Sequence, residues 1–191
     1  MNILLADDNA ERATALALTL SADPGVTVSR LRQGELLSDA VAAQAPDIVL
    51  VDMARPDRDA LEGIRQVARD NPRPIVLFVD EDDPAFMEDA IGAGVSSYNV
   101  VGLSQPDVKP ILRAAAALFR RHQSVAGELR QAEKRLLERE IIDRAKAILI
   151  KQRKYNEPEA YKWLRRQAMC SARRIVDIAQ DLVQAHKGDA A

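Results

Sequence analysis

Three acidic side chains stand where two apolar segments of the chain end. Asp7 and Asp8 follow the segment NILLA, and Asp52 closes the run IVLVD. The first and third strands of a parallel sheet are commonly neighbours, and ligands bind beyond the carboxyl ends of such strands. Clustered carboxylates repel one another unless a hard cation neutralises them, and their oxygen atoms suit Mg²⁺. We therefore expect these aspartates to form an acidic pocket for Mg²⁺, unless they only cap the turns and helices that follow.

A second group of candidate residues lies in the C-terminal part of the chain. Residues 1–127 hold 12 basic and 19 acidic side chains, whereas residues 141–175 hold 10 basic and 3 acidic ones. This asymmetry indicates two tasks, the second of them close to a polyanion. Lys146, Tyr161, Arg165 and Arg166 can hold phosphates or stack on unpaired bases, and Tyr161 shares a helix face with Arg165. On composition alone, a solvated helix surface would explain the same charges.

Short apolar runs alternate with amphipathic stretches over the first 121 residues. The predicted strands are residues 2–6, 26–31, 47–52, 74–80 and 95–101, and the predicted helices between them are residues 10–21, 34–43, 59–70 and 84–92. Parallel strands need helical crossovers, so this alternation predicts an α/β domain with a five-stranded parallel sheet covered on both faces.

From Pro106 onward the strand signal disappears and a long helix is predicted, over about residues 106–152. Apolar residues recur there at alternating spacings of four and three, which is typical of a coiled coil. His122 and Gly127 weaken this seam. At 1.5 Å per residue the helix would be roughly 70 Å long, so we expect it to pair with a second copy of the chain. The expected dimer contacts are Ile111, Leu118, Val125, Leu129 and Leu136.

The remaining chain carries two helix-start signals. Asn156 followed by Glu159 is a capping-box pattern, and Ser171 precedes a further amphipathic run that ends at Gly188. Helices over residues 141–153, 157–169 and 172–186 would form a compact three-helix unit.

Composition restricts the remaining classes of function. The chain of 191 residues is 47% hydrophobic and 29% charged, and no apolar run approaches the roughly 18 residues that cross a bilayer. We therefore expect a cytoplasmic protein with no membrane partner. A single cysteine and two distant histidines argue against an internal disulfide or a zinc site. No enzyme is expected, because no paired nucleophile and base or glycine-rich phosphate loop is present.

Residues 1–120 resemble a response-regulator receiver domain. The similar residues are ILLADD at the first strand, IVLVDM followed by Pro56 and Asp59 at the third, and Tyr98 in SSYNV at the fifth. The resemblance implies a flavodoxin-like fold in which Asp52 takes the phospho-acceptor position and Asp7 and Asp8 join it as ligands of Mg²⁺.

Two residues depart from the receiver pattern. Val79 stands where the family usually has Thr or Ser, and Val101 stands where it usually has Lys. A hydroxyl would donate a hydrogen bond to a phosphoryl oxygen, and an ammonium group would offset its charge of nearly −2. Valine can do neither, so we expect a fold kept for docking and dimerisation more than for regulated phosphorylation of Asp52.

Residues 128–188 resemble an ANTAR domain, an all-α RNA-binding output module. The similar segments are RAKAIL, EAYKWLRRQAM and RRIVDIAQDLV, and Ala147 and Ile150 depart conservatively from the usual pattern. The resemblance implies a three-helix module, which follows the coiled-coil linker that the apolar spacing predicts over residues 106–136. It adds Arg144, in RAKAIL, to the expected RNA contacts.

A receiver, a coiled coil and an ANTAR module in this order resemble a transcription antitermination regulator. Such proteins hold stem-loop leader RNA as dimers and prevent an overlapping terminator from forming. SSYNVVGLSQPDVKPIL and ARPDRDALE are most similar to the NasT type. That likeness implies control of nitrate and nitrite assimilation genes, with restraint by a nitrate-sensing partner that resembles a solute-binding protein. Two alternatives stay open: a phosphorylation-controlled DNA-binding response regulator and a protein-interaction adaptor.

Overall fold

The computed structural model describes residues 1–53, 58–100 and 108–188. Pro56, Val101 and the predicted start of the long helix at Pro106 lie outside these ranges. The chain divides into an N-terminal unit, Met1–Gln123, and a C-terminal unit, Ser124–Ala191. Within the described ranges no helix is both long and apolar enough to span a bilayer.

The N-terminal unit contains the parallel five-stranded sheet that the sequence predicts. Its strands are β1 (Asn2–Asp7), β2 (Thr27–Arg30), β3 (Ile48–Met53), β4 (Ile75–Val79) and β5 (Ser97–Val100), in the spatial order β2-β1-β3-β4-β5. Its helices are α1 (Ala10–Ser21), α2 (Leu37–Gln44), α3 (Arg58–Asp70), α4 (Pro84–Ala93) and the first part of α5 (Val108–Arg153). Every residue of β3 and β4 is buried, as expected for central strands covered by helices on both faces.

Alternate side chains of the strands build two hydrophobic cores, one on each face of the sheet. Leu61, Ile64 and Val67 of α3 pack in one core together with residues of α2 and α4. On the other face, α1 and the first turns of α5 supply the second core. Ala115, which the four-and-three spacing on from Ile111 would also place in the coiled-coil seam, is instead buried in this second core. Ile111 also packs against it, so the exposed part of the seam begins at Leu118.

The C-terminal unit is the predicted three-helix arrangement, formed by the later part of α5 with α6 (Glu157–Ser171) and α7 (Ile175–Gly188). Its core consists of fully buried small and apolar residues, namely Ala145, Leu149, Ala160, Leu164 and Ala179. The capping box is confirmed: the Asn156 side chain accepts a hydrogen bond from the Glu159 backbone at 2.9 Å, and the Glu159 carboxylate accepts one from the Asn156 backbone at 2.9 Å. This contact fixes where α6 begins.

The predicted helix start at Ser171 is wrong. Ser171 is the last residue of α6, and its hydroxyl donates to the Gln167 carbonyl at 2.7 Å inside the same helix. A serine can satisfy its hydroxyl in the preceding turn as well as cap a following one, so its type does not decide between the two. Ala172 then adopts a left-handed conformation (φ 51°), and α7 begins at Ile175.

Gly94 provides a test of how α4 joins β5. It ends α4 with φ at 109°, and an added Cβ would lie 2.6 Å from the Cβ of Ala68. We expect Gly94→Ala to lower the free energy of unfolding by at least about 2 kcal/mol, because it adds both backbone strain and a steric clash. Gly92→Ala, in the same helix with no atom within 4 Å of the added Cβ, should leave stability unchanged or slightly higher. Equal denaturation midpoints for the two variants in urea would contradict this account.

Candidate functional site

The acidic pocket lies at the carboxyl edge of the sheet, where β1 and β3 end. These strands pair in the register Asp7↔Asp52, so the two aspartates lie side by side on neighbouring strands. The side chains of Asp7 and Asp52 are 0% and 2% exposed, whereas that of Asp8 is 59% exposed. The structure therefore brings the three predicted side chains together. Asp7 also accepts a hydrogen bond from the Asn9 backbone at 2.8 Å, and Asn9 rather than Asp8 caps α1.

The pocket also contains a cation that the sequence analysis missed, the guanidinium of Arg12. Its Nη2 lies 3.1 Å from Asp7 Oδ1 and 3.0 Å from Asp8 Oδ1, and its Nε lies 3.0 Å from Asp52 Oδ2. Nη1 lies 3.5 Å from Asp80, a further carboxylate just after β4. Arg12 comes four residues after Asp8 and lies in the first turn of α1, which begins at Ala10, so the two side chains can meet at the start of the helix. That spacing was the only signal in the sequence.

Burial dominates the electrostatics of Asp52. Desolvation raises its pKa to about 7; Arg12 opposes the shift, while Asp7, Asp80 and Asp8 add to it. Although Arg12 Nε is close, Asp52 Oδ2 is buried and accepts no hydrogen bond from any described residue. Partial burial lowers the pKa of Arg12, but its hydrogen bond to Asp7 and the charges of Asp52, Asp7 and Asp8 outweigh this and raise it. The guanidinium therefore remains charged within the pocket.

Among the described residues near Asp52, position 79 lacks the hydroxyl that would assist a phosphoryl group. Val79 ends β4 with 0% exposure and offers no hydroxyl, as its residue type predicts. Tyr98 is half-buried in β5, and its ring centroid lies 6.4 Å from that of Phe86. Among the described residues, no three His, Cys, Asp or Glu side chains are arranged to hold a metal ion.

The basic candidates of the C-terminal unit fall into two kinds. Arg165 and Arg166 are exposed on α6 and form no ion pair with any described residue, and Tyr161 on the same helix is 45% exposed. Lys146, in contrast, is 15% exposed and held at 2.7 Å by both Asp143 and Glu157. These hydrogen bonds raise the pKa of Lys146 and keep it charged. Arg144 forms an ion pair with Glu140.

The candidate RNA-binding residues lie on two surfaces, a cleft between α5 and α6 and an exposed face of α6. Lys146 and Tyr161 line one cleft between α5 and α6, together with Arg135 and Ile150. On α6, the exposed face continues from Tyr161 through Lys162, Arg165 and Arg166 to Met169, whose exposure of 74% the sequence analysis did not anticipate. Helical spacing of three and four residues carried the signal for Lys162 and Met169. The RNA contacts expected on α6 thus lie on one continuous face.

Trp163 belongs to the interior of the C-terminal unit. It is half-buried against the core, and the guanidinium of Arg153 lies 4.8 Å above the ring centroid. This cation–π contact and the packing explain the residue without a ligand.

A parallel sheet with an acidic pocket at its carboxyl edge, followed by a basic three-helix unit, defines a receiver-type protein with an all-α output module. Residues 3–100 match the response regulator receiver domain family, and residues 130–183 match the ANTAR domain family. The chain therefore belongs to the response regulators, in the group that carries an ANTAR domain.

Similar proteins support the same assignment. The transcriptional regulatory protein PdtaR of Mycobacterium tuberculosis strain H37Rv is 29% identical over 167 residues, which cover 87% of this chain and 82% of that protein. Two solved receiver domains share the fold. The Klebsiella pneumoniae RstA receiver is 23% identical with a TM-score of 0.54, covering 61% of this chain and 98% of its own. The Thermotoga maritima CheB receiver is 17% identical with a TM-score of 0.53, covering 61% and 96%.

The raised pKa of Asp52 predicts how stability depends on pH. Between its ordinary pKa of 3.8 and about 7, the carboxyl group is protonated in the folded protein and ionised in the unfolded chain. Folding therefore binds a proton in this window, and stability falls as pH rises through it. Asp52→Asn mimics the neutral form, so we expect it to be more stable than the wild type, by a margin that is about 1–4 kcal/mol larger at pH 8 than at pH 5.

Thermal unfolding at the two pH values measures this difference. Asp70→Asn, an exposed aspartate at the end of α3, is the matched control and should leave the pH dependence of the wild type unchanged. A difference between Asp52→Asn and the wild type that is the same at pH 5 and pH 8 would refute the prediction.

Proposed function

We propose that this response regulator is a transcription antitermination protein that binds stem-loop leader RNA through the exposed face of α6. The observation that carries the proposal is the charge on that face: Arg165 and Arg166 project into solvent without a carboxylate partner among the described residues. Such side chains can contact phosphates without first breaking an ion pair.

The neighbouring residues supply contacts of other kinds. Tyr161 is four residues before Arg165 and half-exposed, so its ring can stack on an unpaired loop base while the guanidinium holds the adjacent phosphate. Lys146 differs, because an RNA phosphate must replace Asp143 and Glu157 as its partner. The pairs that Lys146 and Arg144 form make these two residues the weaker contributors to affinity.

A homodimer is part of the proposal. Leu118, Val125, Leu129 and Leu136 on α5 are between 50% and 68% exposed, an unusual state for a row of large apolar residues on one helix. Spacings of seven, four and seven residues let them meet the same row on a second copy as a coiled-coil seam. Two copies would then present two basic faces to paired stem-loops in nascent RNA.

Control of nitrate and nitrite assimilation genes completes the proposal, with a nitrate-sensing, solute-binding-like protein as the restraining partner in the cytoplasm. The basis is the similarity of SSYNVVGLSQPDVKPIL and ARPDRDALE to the NasT type, together with the valine at position 79. Asp52 is then the centre of a docking domain rather than a phosphorylation trigger. Binding to the leader RNA of the neighbouring genes, measured with and without the sensor protein, tests the assignment.

Neutralising the free arginines tests RNA binding directly. We expect Arg165→Gln combined with Arg166→Gln to weaken binding to a leader hairpin at least about tenfold, because two charge-assisted phosphate contacts are lost. The slope of log K against log salt should become shallower by about 1 to 2. Removing the same charge from α3 with Arg65→Gln and Arg69→Gln should leave both quantities unchanged.

Filter binding over a salt series measures these effects, with duplex DNA of equal length as competitor. Preference for the duplex would favour a DNA-binding regulator, and unchanged hairpin affinity in the α6 variant would favour a protein-interaction adaptor. Either result would overturn the proposal.

The seam on α5 has its own test. We expect Leu129→Glu with Leu136→Glu to convert a dimer into a monomer in sedimentation equilibrium, because two buried carboxylates per chain would face their counterparts. Leu18→Glu, which alters a leucine of α1 that is 71% exposed, is the matched control and should keep the dimer. A seam variant that remains dimeric at the same concentration would exclude this surface.

A further inference from the structure

The acidic pocket of the N-terminal unit already contains a positive charge that belongs to the chain. Its oxygen donors are of the kind that Mg²⁺ prefers, and the receiver family implies such a metal. The arrangement around them is different, because Arg12 nitrogen atoms lie within 3.1 Å of Asp7, Asp8 and Asp52. One guanidinium thus contacts all three carboxylates that would be ligands of the metal.

The guanidinium and a metal ion cannot use this pocket together. Mg²⁺ requires oxygen ligands at about 2.0–2.1 Å in an octahedral arrangement. The Asp7 carboxylate accepts three hydrogen bonds from Arg12, one from Nη2 at 3.1 Å and two from Nε at 3.2 and 3.3 Å. A metal in contact with Asp7 and Asp52 would be placed beside a fixed like charge and would take over the same oxygen atoms. Metal binding therefore requires Arg12 to leave.

Arg12 is well held against such displacement. It lies in the first turns of α1, where the Asn9 side chain accepts hydrogen bonds from the backbones of Glu11 and Arg12 at 3.0 Å each. Its side chain is only 26% exposed. The capped helix therefore presents the guanidinium to the carboxylates as an intramolecular ligand, at an effective concentration that a dissolved cation must exceed.

We propose that Arg12 is the resident cation of the acidic pocket and takes the place of the divalent metal in this receiver. It offsets part of the negative charge of Asp7, Asp8 and Asp52 through one multidentate guanidinium and excludes Mg²⁺ from them. Arg12 is thus a positioning residue for Asp52. The proposal concerns the N-terminal unit alone and does not depend on RNA binding by α6.

Binding of Mn²⁺ tests this exclusion, because electron paramagnetic resonance measures the concentration of free Mn²⁺ in the presence of the protein. The experiment titrates Mn²⁺ into the full chain of the wild type, Arg12→Gln and Arg12→Lys, with Mg²⁺ as competitor. We expect Arg12→Gln to bind one Mn²⁺ per chain at least about tenfold more tightly than the wild type, because glutamine leaves the carboxylates without a counter-charge. Arg12→Lys keeps the positive charge but not the planar guanidinium that contacts several carboxylates at once, so its affinity for Mn²⁺ should be intermediate.

Two controls assign the binding to this pocket. Arg65→Gln removes a surface arginine that contacts Glu62 and should behave as the wild type. Asp52→Asn added to Arg12→Gln should abolish the gained site. Wild-type affinity within threefold of that of Arg12→Gln would overturn the proposal, and so would a failure of both Arg12 variants to bind Mn²⁺. The wild-type titration is decisive by itself if a variant does not fold, since submillimolar binding would show that Arg12 does not exclude the metal.

Discussion

Parallel pairing of β1 with β3 is the constraint on which the acidic pocket depends. The register Asp7↔Asp52 places two carboxylates side by side at the edge where both strands end. Successive side chains of a strand point to opposite faces, so a shift by one residue would move every apolar residue of β3 from the core in which it packs to the core on the other face. The packing of β3 on both faces therefore fixes the register, and the register fixes the positions of Asp7 and Asp52 in the acidic pocket. Val79 is positioned by the same means, through pairing of β4 with β3.

Local patterns predicted much of this structure. Valine- and isoleucine-rich runs identified the strands, and the capping box at Asn156 identified the start of α6, because both signals act over a few residues. Ser171 and Ala115 show where such signals fail. A serine hydroxyl can be satisfied in the helix before it, and a heptad-like position can face the core of its own domain. Tertiary packing decides between the alternatives in each case.

The sequence predicted which residue types occupy the candidate sites better than it predicted which of the charged side chains form ion pairs. A count of basic residues treats Lys146 and Arg165 alike, yet two carboxylates hold the first and none of the described residues pairs with the second. Arg12 was missed for a related reason. Its partners come from β1, β3 and the residues after β4, and only the folded sheet brings these segments to the start of α1. Ion pairs between distant segments have no periodicity that a sequence could display.

The Arg12 guanidinium, which lies beside the end of β1, differs from a bound metal ion in that it does not come from the solution. A side chain is made with the polypeptide, in a ratio of one to each pocket, and neither dilution nor a chelating agent such as EDTA removes it. Under the proposal that Arg12 excludes Mg²⁺, the charge balance around Asp52 is set when the chain folds and does not depend on the divalent ion content of the solution. The counter-charge of the acidic pocket is therefore part of the polypeptide of the N-terminal unit itself.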